Sequence, residues 1–222
     1  MFSPNPPLLP DSNLPFDTWQ ELYNWARCHY RQRVFHKDQQ IPTRPGLLYL
    51  VNQGAVRLIG FSPIDNERKL SANETVEEIF LGIVGIGQPF EITKHPYSII
   101  RAEAHLEKTS VIWLYWHELV HSLTLYIEVL EIFREQHQRK LVWMSILSQK
   151  RTIDRLIKFL ILLATEEGET TEQGYCLPYP LTHAQIASAI GTTRVTVTRL
   201  MGKLREEKLI QIHQDNRICW KG

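Results

Sequence analysis

Residues 181–204 read "LTHAQIASAIGTTRVTVTRLMGKL", and the fold turns on whether this is an ordinary helical hairpin or a pair of helices shaped to enter a DNA groove. Thr182 and Gln185 stand in the Ser/Thr-x-x-Glu/Gln spacing of a capping box, where each side chain satisfies a backbone N–H that the start of a helix leaves unpartnered. Ile186, Ala187 and Ile190 give that first helix one apolar face. Gly191 supplies a turn residue without a Cβ clash, and Thr192 or Thr193 is placed to cap a second helix. On the second helix Val197, Leu200 and Leu204 fall at i, i+3 and i+7 and share the buried side. Arg194, Val195, Thr198 and Arg199 are left on the open side near its N-terminus.

Those four residue types suit base edges in a major groove. An Arg donates two hydrogen bonds to guanine O6 and N7, a geometry that discriminates by roughly 1–3 kcal/mol, and a Val or Thr methyl meets the thymine methyl. Thr182, Thr192, Thr196 and Lys203 suit phosphate oxygens, which position a protein without reading sequence. Downstream, "IQIHQDNRICW" (210–220) alternates apolar and polar residues about Gln214-Asp215-Asn216, which predicts a hairpin, hence a wing. A solvated basic hairpin of helices would account for the charge alone. It does not account for capping box, glycine, buried periodicity, paired arginines and wing together, so the region reads as a winged helix-turn-helix.

Working outward, residues 1–18 hold five of the twelve prolines and read as an extended arm, followed by a helical "TWQELYNWARCHYRQ"; together they form a preface over 1–32. From 33 to 116, runs such as "GLLYLV", "GAVRLIGF" and "SVIWLYW" between Gly and Pro turns predict an antiparallel sandwich or roll. Residues 117–150 contain no Gly or Pro. Tyr126, Leu130, Phe133, His137, Lys140, Met144 and Leu147 recur there in alternating steps of four and three, the pattern of a coiled-coil seam, so a helix that pairs two copies is expected. From 151 to 222, an amphipathic helix "RTIDRLIKFLILLATEEG" and a loop lead into the DNA-binding module. The fold class is thus α+β.

The chain has 222 residues and a formal net charge of +1, with 11 Lys and Arg against 8 Asp and Glu from Lys150 onward; the positive excess lies C-terminally. No Lys or Arg precedes Arg27 and no apolar run approaches membrane-spanning length, so a cytoplasmic protein without a membrane partner is expected. Cys28, Cys176 and Cys219 are widely spaced and odd in number, which predicts reduced thiols rather than a disulfide framework, zinc ribbon or iron–sulfur cluster. The sequence carries no Gly-rich phosphate loop, nucleophile elbow or HExxH, so a binding protein is expected rather than an enzyme, with no cofactor and no metal. His36, His95 and His105 lack ligand spacing. His137 fits a polar seam residue that fixes register, and Trp113, Trp116 and Trp143 are expected to pack roll against helices. A redox switch at Cys28 or Cys176 would require a lowered thiol pKa.

The quoted stretch resembles the DNA-binding signature of the bacterial regulators grouped with the cyclic-AMP receptor protein and the fumarate–nitrate reduction regulator, the CRP/FNR family. Within it "TRVTVTRL" is similar to the recognition helix of the cyanobacterial global nitrogen regulator. "LYLVNQGAVRLIGF" is similar to the β-roll of cyclic-nucleotide-binding domains, so the resemblance covers about residues 33–222. It implies a cyclic-nucleotide-binding-like jelly roll, a long dimerisation helix and a C-terminal winged helix-turn-helix. It also implies a homodimer on a pseudo-palindrome of GTA-type half-sites, read by Arg194 and Arg199, with RNA polymerase as a partner; Val195 replaces the acidic reader of the cyclic-AMP branch.

The sensory half departs from the family. Where the cyclic-AMP branch has a Gly-Glu turn and an Arg-Ser pair for the phosphate, this chain reads "GIGQPFEITKHPYSIIRAEA", with Gln88 and Pro89 after Gly87 and Pro96 and Tyr97 at the Arg-Ser slot. A buried phosphate would meet no cation there, so control by cyclic AMP is not expected. At the nitrogen regulator's 2-oxoglutarate positions stand Ser98, Gln136 and Leu141, with Arg134 and Arg139 on other faces. No effector is named by these residues. A regulator of the same fold controlled by abundance or by a protein partner, and an adaptor that has lost DNA binding, stand as the alternatives.

Overall fold

A computed structural model describes residues 18–61, 78–93, 99–171 and 174–221. The N-terminal arm before Thr18 and the positions His95, Pro96, Tyr97 and Ser98 lie outside the described residues.

Helix α1 (Trp19–Cys28) opens on a capping box between Thr18 and Glu21. Eight strands follow: β1 (Gln32–Phe35), β2 (Gln40–Ile41), β3 (Leu47–Gln53), β4 (Val56–Phe61), β5 (Ile79–Val84), β6 (Pro89–Phe90), β7 (Ile99–Ala104) and β8 (Thr109–Tyr115). They form two antiparallel four-stranded sheets, in the orders β1-β8-β3-β6 and β2-β7-β4-β5. Successive side chains along a strand face opposite ways, and here both faces of the first sheet are covered. Leu47, Tyr49, Val51, Val111 and Trp113 point between the sheets, while Leu48, Leu50, Ile112 and Leu114 pack outward against Leu22, Ala26, Leu119, Leu125 and Val129. That explains why "LLYLV" is apolar without alternation. Gly54, at φ +78°, turns β3 into β4.

A short helix α2 (Trp116–Leu119) precedes the long α3 (Leu123–Leu147), so the Gly- and Pro-free run from His117 is two helices rather than one. Trp19 donates its indole N–H to Glu128 at 2.7 Å, tying α1 to α3. The seam expected from periodicity divides. Tyr126 and Phe133 turn into their own protomer, edge-on and tilted against Trp116. The exposed apolar stripe instead runs through Leu123, Ile127, Leu130, Leu141 and Met144, with Leu147 at its end, and Arg134 and His137 complete its four-and-three spacing. A helix that also packs on its own roll carries two apolar stripes, and α1 with α2 claims the one bearing Tyr126 and Phe133.

Helix α4 (Thr152–Glu167), β9 (Glu169–Thr171), β10 (Gly174–Pro180), α5 (His183–Ala189), α6 (Arg194–Glu206), β11 (Ile210–Ile212) and β12 (Arg217–Trp220) complete the chain. The last four strands form a third antiparallel sheet, β11-β12-β10-β9. Its register sets Cys176 opposite Cys219, and the two are joined in a disulfide with Cα atoms 3.9 Å apart. The expectation of reduced thiols is therefore corrected for this pair. A bridge between residues 43 apart in sequence depends on two non-adjacent strands pairing, which cysteine spacing does not reveal; Cys28 is free and exposed.

Candidate nucleic-acid interface

The capping box read from the sequence is present. Gln185 donates its backbone N–H to Thr182 Oγ at 3.2 Å, and Thr182 donates its own to the Gln185 side chain at 2.9 Å. Gly191 adopts φ +63° in the turn, and Thr193 caps α6 by accepting from the Thr196 N–H at 3.2 Å. Val197, Leu200, Met201 and Leu204 are buried against Ile186, Ala187 and Ile190, residues of one continuous core with α4 and the third sheet.

With that side fixed, Arg194, Val195, Thr198 and Arg199 are all exposed. Val195 is 79% exposed. Among the described residues neither Arg194 nor Arg199 has a carboxylate partner; five of the twelve other described arginines do. Thr198 donates its hydroxyl to the Arg194 carbonyl at 3.0 Å and lies 2.9 Å from His183 Nδ1, which holds its methyl in place. Gly202, also on the outer side, has nothing within 4 Å of where a Cβ would stand, so a groove wall can come close to the backbone there.

The positions expected at phosphates are distributed around this face. Thr182 is exposed at the start of α5, while Thr192 and Thr196 are half-buried; the Thr196 hydroxyl is engaged with Thr193 Oγ at 2.9 Å. Lys203 pairs with Glu207 one turn on, at 3.6 Å, and an exposed pair of this kind is worth little in water and opens readily. The hairpin β11–β12 turns at Asn216, in the left-handed region at φ 64°, and Arg217 is drawn to Asp215 at 2.6 Å.

Residues that sequence reasoning missed decide where this face points. The roll and α3 hold α5, not α6. Phe80 of β5 donates its N–H to Ser188 Oγ at 2.8 Å, and Ser188 donates to the Glu78 carbonyl at 3.1 Å. Trp143 of α3 donates its indole N–H to the Ala189 carbonyl at 2.9 Å, and Arg155 of α4 donates to the Ile190 carbonyl at 2.9 Å. Beneath them Arg139 pairs with both Glu166 and Glu167, and Glu167 accepts from the Tyr179 hydroxyl. Burial pushes the Glu167 carboxyl up, against the pull of Tyr179 and Arg139, and burial together with Glu167 pushes the Tyr179 hydroxyl well up. Trp143 packs where it was expected to, between roll and helices, whereas nothing in the helical period of α3 marks Arg139 as a docking residue.

The remaining candidates lie elsewhere. His105 is buried with Nε2 2.8 Å from the Pro180 carbonyl, and His36 is exposed beside Glu107. Among the described residues no three His, Cys, Asp or Glu side chains gather as a metal site, and no helix is long and apolar enough to cross a membrane. Trp116 and Trp143 pack roll against helices, and Trp113 faces the roll interior. Gln136 donates to the Pro89 carbonyl at 3.0 Å and Leu141 is exposed. The cavity between β5, α3 and the C-terminal module is about 80 Å³.

Residues 154–221 match the Crp-like helix-turn-helix domain family. Over 60 residues the chain is 52% identical to the global nitrogen regulator of Synechococcus elongatus and 50% identical to that of a Nostoc species, in each case 27% of this chain and 27% of the relative. The matched part thus spans about a quarter of the length of these curated relatives. Among solved structures, a mutant of CooA from Carboxydothermus hydrogenoformans superposes with a TM-score of 0.65 at 22% identity, covering 86% of this chain and 84% of that one. FixK2 from Bradyrhizobium japonicum superposes with a TM-score of 0.63 at 20% identity, covering 86% and 92%. A cyclic nucleotide-binding domain containing protein from Listeria monocytogenes gives 0.67 at 16% identity, covering 90% and 96%.

Proposed function

We propose that the chain, whose residues 154–221 match the Crp-like helix-turn-helix domain family, is a homodimeric, sequence-specific DNA-binding regulator of transcription of the CRP/FNR type, working with RNA polymerase rather than as an enzyme. The observation that carries this reading is the outer side of α6, where Arg194, Val195, Thr198 and Arg199 stand exposed and the two arginines have no carboxylate partner among the described residues. Arg194 and Arg199 read bases as bidentate donors, and Val195 meets a thymine methyl, which supports a GTA-type half-site. Thr182, Thr192, Thr196 and Lys203 contact phosphates. Two copies joined along α3 set their α6 helices about 34 Å apart, one turn of the duplex.

The cavity between roll and long helix measures about 80 Å³, well below the roughly 300–1,000 Å³ of small-molecule pockets. That supports control by abundance or by a protein partner rather than by a ligand seated against α3.

The test is a fluorescence anisotropy titration of the full chain, without added ligand, on a GTA-type palindrome and a scrambled duplex at several salt concentrations. The palindrome is expected to bind at least a hundredfold more tightly, with affinity falling steeply as salt rises. Equal, salt-independent affinity on both duplexes would overturn the reading and favour an adaptor.

A further inference from the structure

We propose that the open end of the roll is a second, separate site, one that binds a small organic anion with an aromatic or acyl body and a carboxylate or phosphate head. This inference does not rest on DNA binding. The site is a cavity of about 350 Å³ lined by β1, β3, β8 and the β2–β3 connection, within the size range of small-molecule pockets. No residue of the long helix α3 lines it and no residue of 79–91 does, so it is distinct from the cavity between roll and helix.

The register places Arg33 on the same side of its sheet as the residues that fill the roll. Val111 and Trp113 face the space between the sheets, and Arg33 pairs with Val111, Tyr49 with Trp113 and Leu47 with Tyr115. Arg33 is therefore on the interior face of β1, two residues before the buried Phe35, with its guanidinium over the Phe35 ring at 5.2 Å. Arg31, just before β1, lies 4.9 Å from the Trp25 ring and 5.7 Å from the Tyr115 ring, and pairs with Glu118. Arg44 closes the third side, its backbone N–H donating to the Tyr49 hydroxyl at 2.9 Å.

Three arginines thus line one cavity whose lining includes no Asp or Glu. Only Arg31 has a carboxylate partner among the described residues; Arg33 and Arg44 have none. Arg33 and Arg44 are both exposed at the mouth of the cavity, so their guanidiniums are open to an anion arriving from solvent. The walls, Trp113, Tyr115, Tyr49 and Leu47, offer an aromatic and aliphatic surface to the body of a ligand. The planar forks of Arg33 and Arg44 match a carboxylate or phosphate bidentately.

The experiment is saturation-transfer difference NMR on the full-length protein with phenyl phosphate, benzoate and phenol as probes, repeated on the Arg33→Gln/Arg44→Gln double variant. Phenyl phosphate or benzoate is expected to bind wild type at least tenfold more tightly than phenol, and the stronger of the two identifies the head group. The double variant is expected to lose at least tenfold for the anions with phenol unchanged. Should the variant fail to fold, the comparison of anions with phenol on wild type decides alone. Equal binding of all three probes to wild type, or anion affinity unchanged in a folded double variant, overturns the proposal; neither result bears on affinity for the palindrome.

Discussion

Gly54 shows how a single residue can be fixed from two directions. Its φ of +78° disfavours any L side chain, and a Cβ there would stand 2.7 Å from Thr109 Oγ and 2.9 Å from Thr109 Cα. The latter is backbone in a paired strand and cannot move aside. Gly54→Ala is expected to destabilise the chain by about 2 kcal/mol or more, seen as a lower urea midpoint with unchanged slope. At the DNA face, Arg199→Ala is expected to abolish the preference for the palindrome while circular dichroism and native mass stay those of wild type; undiminished preference would remove Arg199 as a reader. His105 gives a pH signature. Burial holds its imidazole below the ordinary range, outweighing the pull of the Pro180 carbonyl, with Arg57 and Lys37 opposing the charge and Asp38 favouring it. The unfolded chain then binds the proton more readily than the folded one, so the stability at stake is present above the ordinary histidine pKa and is lost as pH falls below it. Melting temperature is expected to drop from pH 7.5 to 5.5, and a folded His105→Gln variant to show a shallower drop.

Elements differ in how much of their arrangement a sequence discloses. The pair α5–α6 was legible because its determinants are local: a box four residues long, one turn glycine, and apolar spacing within a single helix. The disulfide was not, since Cys176 meets Cys219 only through the register of β10 on β12, set by the whole third sheet. Its loop of 43 residues corresponds to roughly 4 kcal/mol of lost unfolded-state entropy. Cys176→Ser/Cys219→Ser is therefore expected to lower the urea midpoint of the C-terminal module under oxidising conditions, and reductant to lower that of wild type but not of the variant. The same locality explains the divided stripe on α3. Tyr126 and Met144 obey one period, yet Tyr126 faces Trp116 and Met144 faces solvent, because the period of a helix does not say which neighbour claims which side.

At the scale of the whole molecule, the stripe of Leu123, Ile127, Leu130, Leu141 and Met144 is the largest set of exposed apolar side chains on one element, and its spacing is that of a two-stranded seam. Leu130→Asp combined with Leu141→Asp is expected to sediment as a 26.0 kDa species, against twice that mass for wild type, and to lose tight palindrome binding while retaining the circular dichroism of the folded chain. A wild-type mass of one chain at micromolar concentration would contradict the seam. The three-part plan of roll, long helix and C-terminal module could be read from shifts in texture along the chain. The arginines at the mouth of the roll could not, because Arg33 joins the side of Val111 only once β1 takes its register on β8.

The grip on the DNA-binding pair has a consequence for how such a molecule changes over generations. Trp143 and Arg155 hold it by the main-chain oxygens of Ala189, Ile190 and Gly191, atoms that every amino acid possesses. The outward letters of α6 can therefore be rewritten, one operator exchanged for another, without the mutation ever reaching the clasp that sets the posture of the reading head. Vocabulary and stance are inherited separately.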